Sequence, residues 1–522
     1  KFKKWYFHFY LHSSWRFWKI CKYSIFDINS GANYIIINAL RFIVRLVFIK
    51  TLPIEYLGIN GLLWNVLSIL SLAEMGVGTA IVYSLYKPLA YNDKITVNAI
   101  ILLFKKLYIY ISVIIFVIGI FILPFIDLFV KDAGTIPQLK WFYFIFLINT
   151  VISYFWNYKR SLLIADQKQY IVNIYVIIVQ IIVSVAQIIL LFSTNSYWCF
   201  ILLMLCGTIL ENFSISRKAD EKYSYLFKEK SNLDKDIKSD IAKNVKAMFG
   251  HKLGNVVTFS SASIVLSKFV GLAAVGLYSN YYMVIIALNN FAGKFFESIT
   301  ASVGNLMVLE ENSKKIKAFK IIEFITALQA AICFCGLYVL FNPFVELWVG
   351  KDYLFSEIVV AAMAFSFYLT YMRKAVLMFR DAAGLYWNDR YKPLAESIIN
   401  LTASIYLTIN YGVIGVVVGG IISTMLTCFW VEPYVLFNND IDIKLKDYFI
   451  DYLKFTVIAL LAAMISEFVY SSLFTKVTLL NFIAGIFICV SVTLIIWYTV
   501  FKNREEMQYL IAFVKQRIIG KY

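Results

Sequence analysis

The chain returns again and again to apolar runs of about 20 residues, and its longest stretch that reads as water-soluble is 217–252. A bilayer's hydrocarbon core is about 30 Å thick, so a run of roughly 20 apolar residues reads as a membrane-spanning helix. On that criterion spans are predicted at 28–50, 59–84, 105–124, 139–158, 170–192, 197–216, 251–270, 277–308, 319–341, 356–379, 393–411, 413–436, 450–472 and 479–501. Hydrophobic residues make up 61% of the sequence and the mean hydropathy is +0.74, which excludes a single water-facing core. The expected fold is an all-α polytopic membrane protein of about fourteen helices.

Basic residues test that scheme. With a cytoplasmic N-terminus, 40 of the 49 Lys and Arg fall in cytoplasmic loops and tails. This bias predicts an even helix count with both ends inside. It also accounts for most of the +17 net charge, so no nucleic-acid partner is called for, only anionic membrane lipids. Nothing in 1–27 reads as a cleavable signal. There Lys4, His8, His12, Arg16 and Lys19 recur at helical spacing among Trp5, Phe7, Tyr10, Leu11, Trp15 and Trp18, the pattern of an interfacial amphipathic helix. The seven cysteines and three histidines lack metal-ligand spacing, and cofactors other than a coupling H⁺ or Na⁺ are not expected.

The chain also echoes itself. Lys50 precedes Gly58 by eight residues in KTLPIEYLGING, and Lys268 precedes Gly276 by eight in KFVGLAAVGLYSN. A second echo pairs YKRSLLIADQKQY (158–170) with MFRDAAGLYWNDRY (378–391). Six helices separate the copies, so both halves enter the membrane alike, and a pseudo-two-fold axis stands along the membrane normal. The expected organisation is an interfacial helix at 1–27, a six-helix lobe at 28–216, a cytoplasmic linker at 217–250, a second six-helix lobe at 251–436, two further helices at 437–501 and a cytoplasmic tail at 502–522.

The stretch EYLGINGLLWNVLSILSLAEMGVGTAIVYSLYKPLA (55–90) resembles the polysaccharide transporter family, the Wzx-type flippases of the multidrug/oligosaccharidyl-lipid/polysaccharide exporter superfamily. YKRSLLIADQKQY, LSKFVGLAAVGLYSNYYMV (266–284) and FRDAAGLYWNDRYKPLAESIINL (379–401) are similar to it at corresponding places. The resemblance covers about 28–436, and its motifs mark turns of the fold more than chemistry. It implies a multi-pass protein of the bacterial inner membrane. Such a protein moves an undecaprenyl-pyrophosphate-linked oligosaccharide between leaflets by alternating access, beside glycosyltransferases and a polymerase, in capsule, exopolysaccharide or O-antigen assembly.

Once the charges at helix ends are counted with the loops, four cations remain within predicted helices: Arg41, Arg45, Lys268 and Lys294. Each would cost about 2.5–3.5 kcal/mol at the bilayer centre, so they are expected to line a cavity. Arg41 and Arg45 share one helix face and repel unless an anion lies between them. A pyrophosphate suits that pair, since guanidinium donors match phosphate oxygens bidentately. The plain alternative has Arg45 reaching the outer headgroups and Arg41 pairing with Glu74. Lys294 and Glu297, three apart, are either a glycan contact beside a coupling site or a mutually neutralising pair. Glu74 and Glu297 are the candidates for H⁺ or Na⁺ coupling, with Glu396 and Glu467 weaker.

Two other functions compete. A membrane polymerase or ligase needs acid–base groups gathered in a substantial outer loop, yet the segments near 125–138 and 342–355 are short, so an enzyme is not expected. A multidrug exporter of the same superfamily is the nearer rival, and a cationic lining would repel cationic drugs.

Overall fold

A computed structural model of the protein describes residues 28–74, 77–131, 136, 138–226, 260–385 and 388–518. The proposed interfacial helix at 1–27 and most of the linker lie outside these residues. Among the described residues the structure is helical, with no strand. In chain order the helices are α1 (Ile28–Thr51), α2 (Ile54–Leu70), α3 (Val77–Ala90), α4 (Lys94–Ile122), α5 (Leu139–Phe155), α6 (Asn157–Ala165), α7 (Gln169–Thr194) and α8 (Tyr197–Lys222). After them come α9 (260–269), α10 (Leu272–Leu309), α11 (Asn312–Val349), α12 (Glu357–Met372), α13 (Lys374–Ala382), α14 (Lys392–Tyr411) and α15 (Val413–Leu426). The last four are α16 (Cys428–Asn439), α17 (Leu445–Leu473), α18 (Leu479–Phe501) and α19 (Glu505–Ile518).

Where they are described, the apolar runs fall on helix apart from short breaks, and 251–259 of the seventh run lies outside the described residues. Eight helical segments of the described chain are long and apolar enough to cross a membrane, or nine when α5 and α6, bent by 44°, count as one span. The spans predicted as continuous at 59–84, 139–158, 356–379 and 413–436 are broken. A 3₁₀ turn over Ser71–Glu74 follows α2, and single residues, Trp156, Arg373 and Thr427, separate α5/α6, α12/α13 and α15/α16. Hydropathy sees through such breaks because the flanking turns stay apolar, whereas Asn157, Arg373 and Thr427 carry polar side chains that satisfy loosened backbone or reach neighbours. Thr427 Oγ1, for example, donates to Ser423 O at 2.6 Å. The two halves of the chain repeat this design: a 17-residue helix then a nine-residue one in α5/α6, and 16 then nine in α12/α13.

The chain divides into two compact units. The first comprises Ala32–Ser279 with Asn400–Val416. Its helices pack as neighbours, α4 on α5, α5 on α8, α7 on α8 and α3 on α6. Phe48 meets Phe200 at 4.9 Å and Phe142 meets Tyr197 at 4.8 Å, both edge-on, a geometry that aromatic quadrupoles favour. Outside the spans, Asp93 caps α4 by accepting from Thr96 N at 3.0 Å and Thr96 Oγ1 at 2.6 Å. Those donors hold its carboxyl below the ordinary value.

The second unit comprises Asn280–Ile399 with Val417–Tyr522, and formally Lys1–Gly31. Its post is α11, whose most apolar window is 67% buried, against 17% for α18 and 39% for α17. The outward faces of α17 and α18 therefore keep large apolar side chains such as Phe468 and Phe487 exposed, as lipid contact requires. Against α11, Trp497 stacks on Phe455 at 5.5 Å and packs on Phe324 at 5.6 Å.

Candidate functional site

In the first unit, helix crossing is governed by the glycines of the repeat. A Cβ on Gly58 would lie 2.0 Å from Leu272 O, and one on Gly276 would lie 2.8 Å from Ile54 O. The first turns of α2 and α10 therefore touch backbone to backbone, which only glycine permits. Each of the two echoed glycines makes room for the other's helix.

This crossing seats the cationic candidates. Arg45, half-buried on α1, donates from Nη2 to Ser279 Oγ, which itself donates to Gly276 O at 2.7 Å. Arg41 lies one turn earlier on the same face and is exposed, with no ion pair among the described residues. The alternative pairing of Arg41 with Glu74 is not formed. Nearby, Asn65 Nδ2 donates to Ser263 Oγ at 3.0 Å. Lys268, near the end of α9, is exposed.

Glu74 follows the break after α2. Its Oε1 lies 3.2 Å from Tyr108 Oη and 3.5 Å from Asn157 Nδ2, and those two groups are 3.1 Å apart. It is thus held by polar partners from α4 and α6 where both broken spans interrupt their ladders. Asn157 also borders a cavity of about 350 Å³ between α2, α5, α6 and α8. At its wall Arg160 Nη1 pairs with Glu211 Oε1 at 2.9 Å.

The second unit holds Lys294 and Glu297, joined at 2.7 Å with 51% and 66% of the side chains exposed. Each neutralises the other. Glu396 lies 3.8 Å from Arg373, and Glu467 is half-buried on α17.

Sequence reasoning misses a buried charge network in this unit, because it counts Arg373, at the inner end of the predicted span 356–379, with Arg380 and Lys392 as cytoplasmic-side charge. Instead Arg373 grips Glu432 with a two-pronged fork, at 3.0 Å from Nε and 2.7 Å from Nη2. Lys392 pairs with the same carboxylate, and Arg380 with Asp389 and Asp381. Glu432 is fully buried and Asp389 3% exposed. Part of the signal is present as the charges Arg380, Asp381, Asp389 and Arg390 of the 378–391 echo, which charge counting reads as topology rather than as pairs.

No family model matches the sequence, and no curated protein matches it significantly. Solved structures match the fold. "Lipid II flippase MurJ, inward closed conformation" superimposes with a TM-score of 0.68 over 91% of this chain and 99% of the other, at 16% identity. An inward-facing multidrug resistance MATE family transporter of the MOP superfamily gives 0.61 over 76% and 94%, at 13% identity. A point mutant of the Vibrio cholerae MATE transporter VcmN gives 0.55 over 80% and 97%, at 13% identity. At these identities the likeness concerns architecture, and this protein has the fold of the MOP-superfamily transporters.

Proposed function

We propose that the protein flips an undecaprenyl-pyrophosphate-linked oligosaccharide from the inner to the outer leaflet of a bacterial inner membrane by alternating access, with no chemical conversion of its cargo. One observation carries the reading. Arg41 is an exposed guanidinium on a largely apolar helix, without an ion-pair partner among the described residues, on the same face as an Arg45 tethered to Ser279. A charge so placed costs about 2.5–3.5 kcal/mol if lipid surrounds it, and a diphosphate between two guanidinium groups offsets that cost. Lys268 adds positive charge in the same unit, while Lys294, neutralised by Glu297, acts as a hydrogen-bond donor to the glycan more than as a net charge.

The fold is shared with multidrug transporters, but an uncompensated guanidinium repels cationic drugs. Glu74, held by Tyr108 and Asn157, and Glu297 are the proposed H⁺ or Na⁺ carriers. The cytoplasmic placement of both termini, the two six-helix lobes and the neighbouring glycosyltransferases and polymerase belong to this same reading.

The test is a substitution series in a surface-polysaccharide assay. Arg41→Ala and Arg45→Ala should each abolish glycan export at wild-type expression, and Lys at either site should restore it only in part, because the fork is lost. Normal surface polysaccharide in the double Ala variant would overturn the anion-binding role.

A further inference from the structure

We infer that the cavity between α2, α5, α6 and α8 is a saccharide subsite that holds one uncharged sugar ring of the cargo. This rests on the reading of the protein as a carrier of glycan-bearing lipid. The cavity's walls set it apart from the surrounding bundle. Apart from Leu67, each lining residue carries a polar side-chain group, although the helices supplying them are apolar along most of their length.

The hydrogen-bonding state of those groups selects the ligand. Ser68, Thr150, Ser153 and Thr208 donate their hydroxyl protons back to carbonyls of their own helices, at 2.8, 2.9, 2.7 and 3.2 Å. Their oxygens therefore act as acceptors towards a guest. Asn149 is 4% exposed, and its Oδ1 is buried with no hydrogen-bond partner, so this wall holds an acceptor that lacks a donor. Arg160 uses one guanidinium nitrogen on Glu211 and has further N–H groups, and Glu211 has further lone pairs. Acceptors and donors stand side by side with no net charge.

Arg160 and Glu211 already neutralise each other, so the wall carries no net charge to offset the desolvation of a charged guest. An apolar guest would strand the polar wall. A polyol suits it, because each hydroxyl both donates and accepts. Trp64, also a lining residue, is 46% exposed and offers an indole face on which the C–H face of a pyranose can stack. The volume of about 350 Å³ equals roughly twelve waters at ~30 Å³ each. That places it at the small end of ligand sites, about 300–1,000 Å³, suited to a single hexose.

The test is saturation-transfer NMR on the full chain in nanodiscs, with free glucose, galactose, N-acetylglucosamine, rhamnose and glucuronate as probes. At least one neutral sugar should give signals that fall at least fivefold in both Trp64→Leu and Asn149→Leu, with glucuronate weaker throughout. Should either variant fold poorly by its thermal midpoint, Thr208→Val and Trp64→Phe replace it, each expected to weaken the signal two- to fivefold. The Arg41→Ala, Arg45→Ala protein should keep the sugar signal. No neutral sugar sensitive to these substitutions overturns the subsite. Export that survives Trp64→Leu and Asn149→Leu but not loss of the arginines removes the subsite and leaves the flippase reading. Sugar binding that persists while export ignores the arginines does the reverse.

Discussion

Replacing Gly58 with Ala should prise apart the crossing of α2 and α10. The added Cβ would sit 2.0 Å from Leu272 O, where ordinary contact starts at 3.4 Å, so one helix must retreat by about 1.4 Å. A gap of even 0.5–1 Å forfeits a quarter to a half of each dispersion well, and forced overpacking of this kind costs about 1–3 kcal/mol. Alanine's better helix propensity returns about 0.8–1.0 kcal/mol, which the larger clash values exceed. Where the crossing is one of two alternative states, 1–3 kcal/mol shifts the balance about 5- to 150-fold. Cysteines at Asn65 and Ser263, whose native side chains lie 3.0 Å apart, report the closed crossing through crosslinking in membranes. The crosslinked fraction should fall several-fold in Gly58→Ala. Gly304→Ala, where a Cβ meets nothing within 4 Å, should leave it unchanged. Undiminished crosslinking in Gly58→Ala, with a thermal midpoint at or above wild type, would refute the backbone-contact argument.

Other outcomes follow from the same structure. Glu432→Gln strips both Arg373 and Lys392 of their shared carboxylate and should destabilise the protein by about 3–5 kcal/mol, read as a lowered thermal midpoint in detergent; a shift equivalent to under 1 kcal/mol would mean the network is solvated. Glu74→Gln should abolish any dependence of transport on a pH or Na⁺ gradient, and dependence that persists in a Glu74→Gln, Glu297→Gln protein removes the coupling role. Because Thr96 holds the Asp93 carboxyl below its ordinary value, the charged cap stabilises α4 above about pH 4, and that stability is lost as pH falls through the lowered value. The thermal midpoint of wild type should therefore drop more steeply on acidification than that of Asp93→Asn, and parallel curves would refute it. A cysteine at residue 235 should label only from the cytoplasmic side of intact cells, and labelling from outside would overturn the topology.

What the sequence determined by itself was the placement of helices along the chain. Lipid cannot satisfy peptide groups, so apolar length alone selects helix, and the described parts of the predicted runs lie on it apart from short breaks. The glycine echo was legible too, but only as a mark of turns; that both glycines sit where a Cβ would strike another helix was not. That Gly58 and Gly276 serve one crossing was decided by tertiary structure, as was Arg45's tether to Ser279. Hydropathy averages over a window, so it passes over the breaks at Trp156, Arg373 and Thr427 and treats Arg373, Arg380 and Lys392 as cytoplasmic-side charge. Only the folded chain brought Glu432, some 40 to 60 residues away in sequence, against two of those cations. The cavity is the extreme case. Asn149, Thr150, Ser153 and Thr208 are scattered polar residues in apolar helices, each ordinary where it stands, and they form a polar wall only because α5 packs against α8. Periodicity reports which way a side chain points from its own helix, and only packing reports what stands opposite.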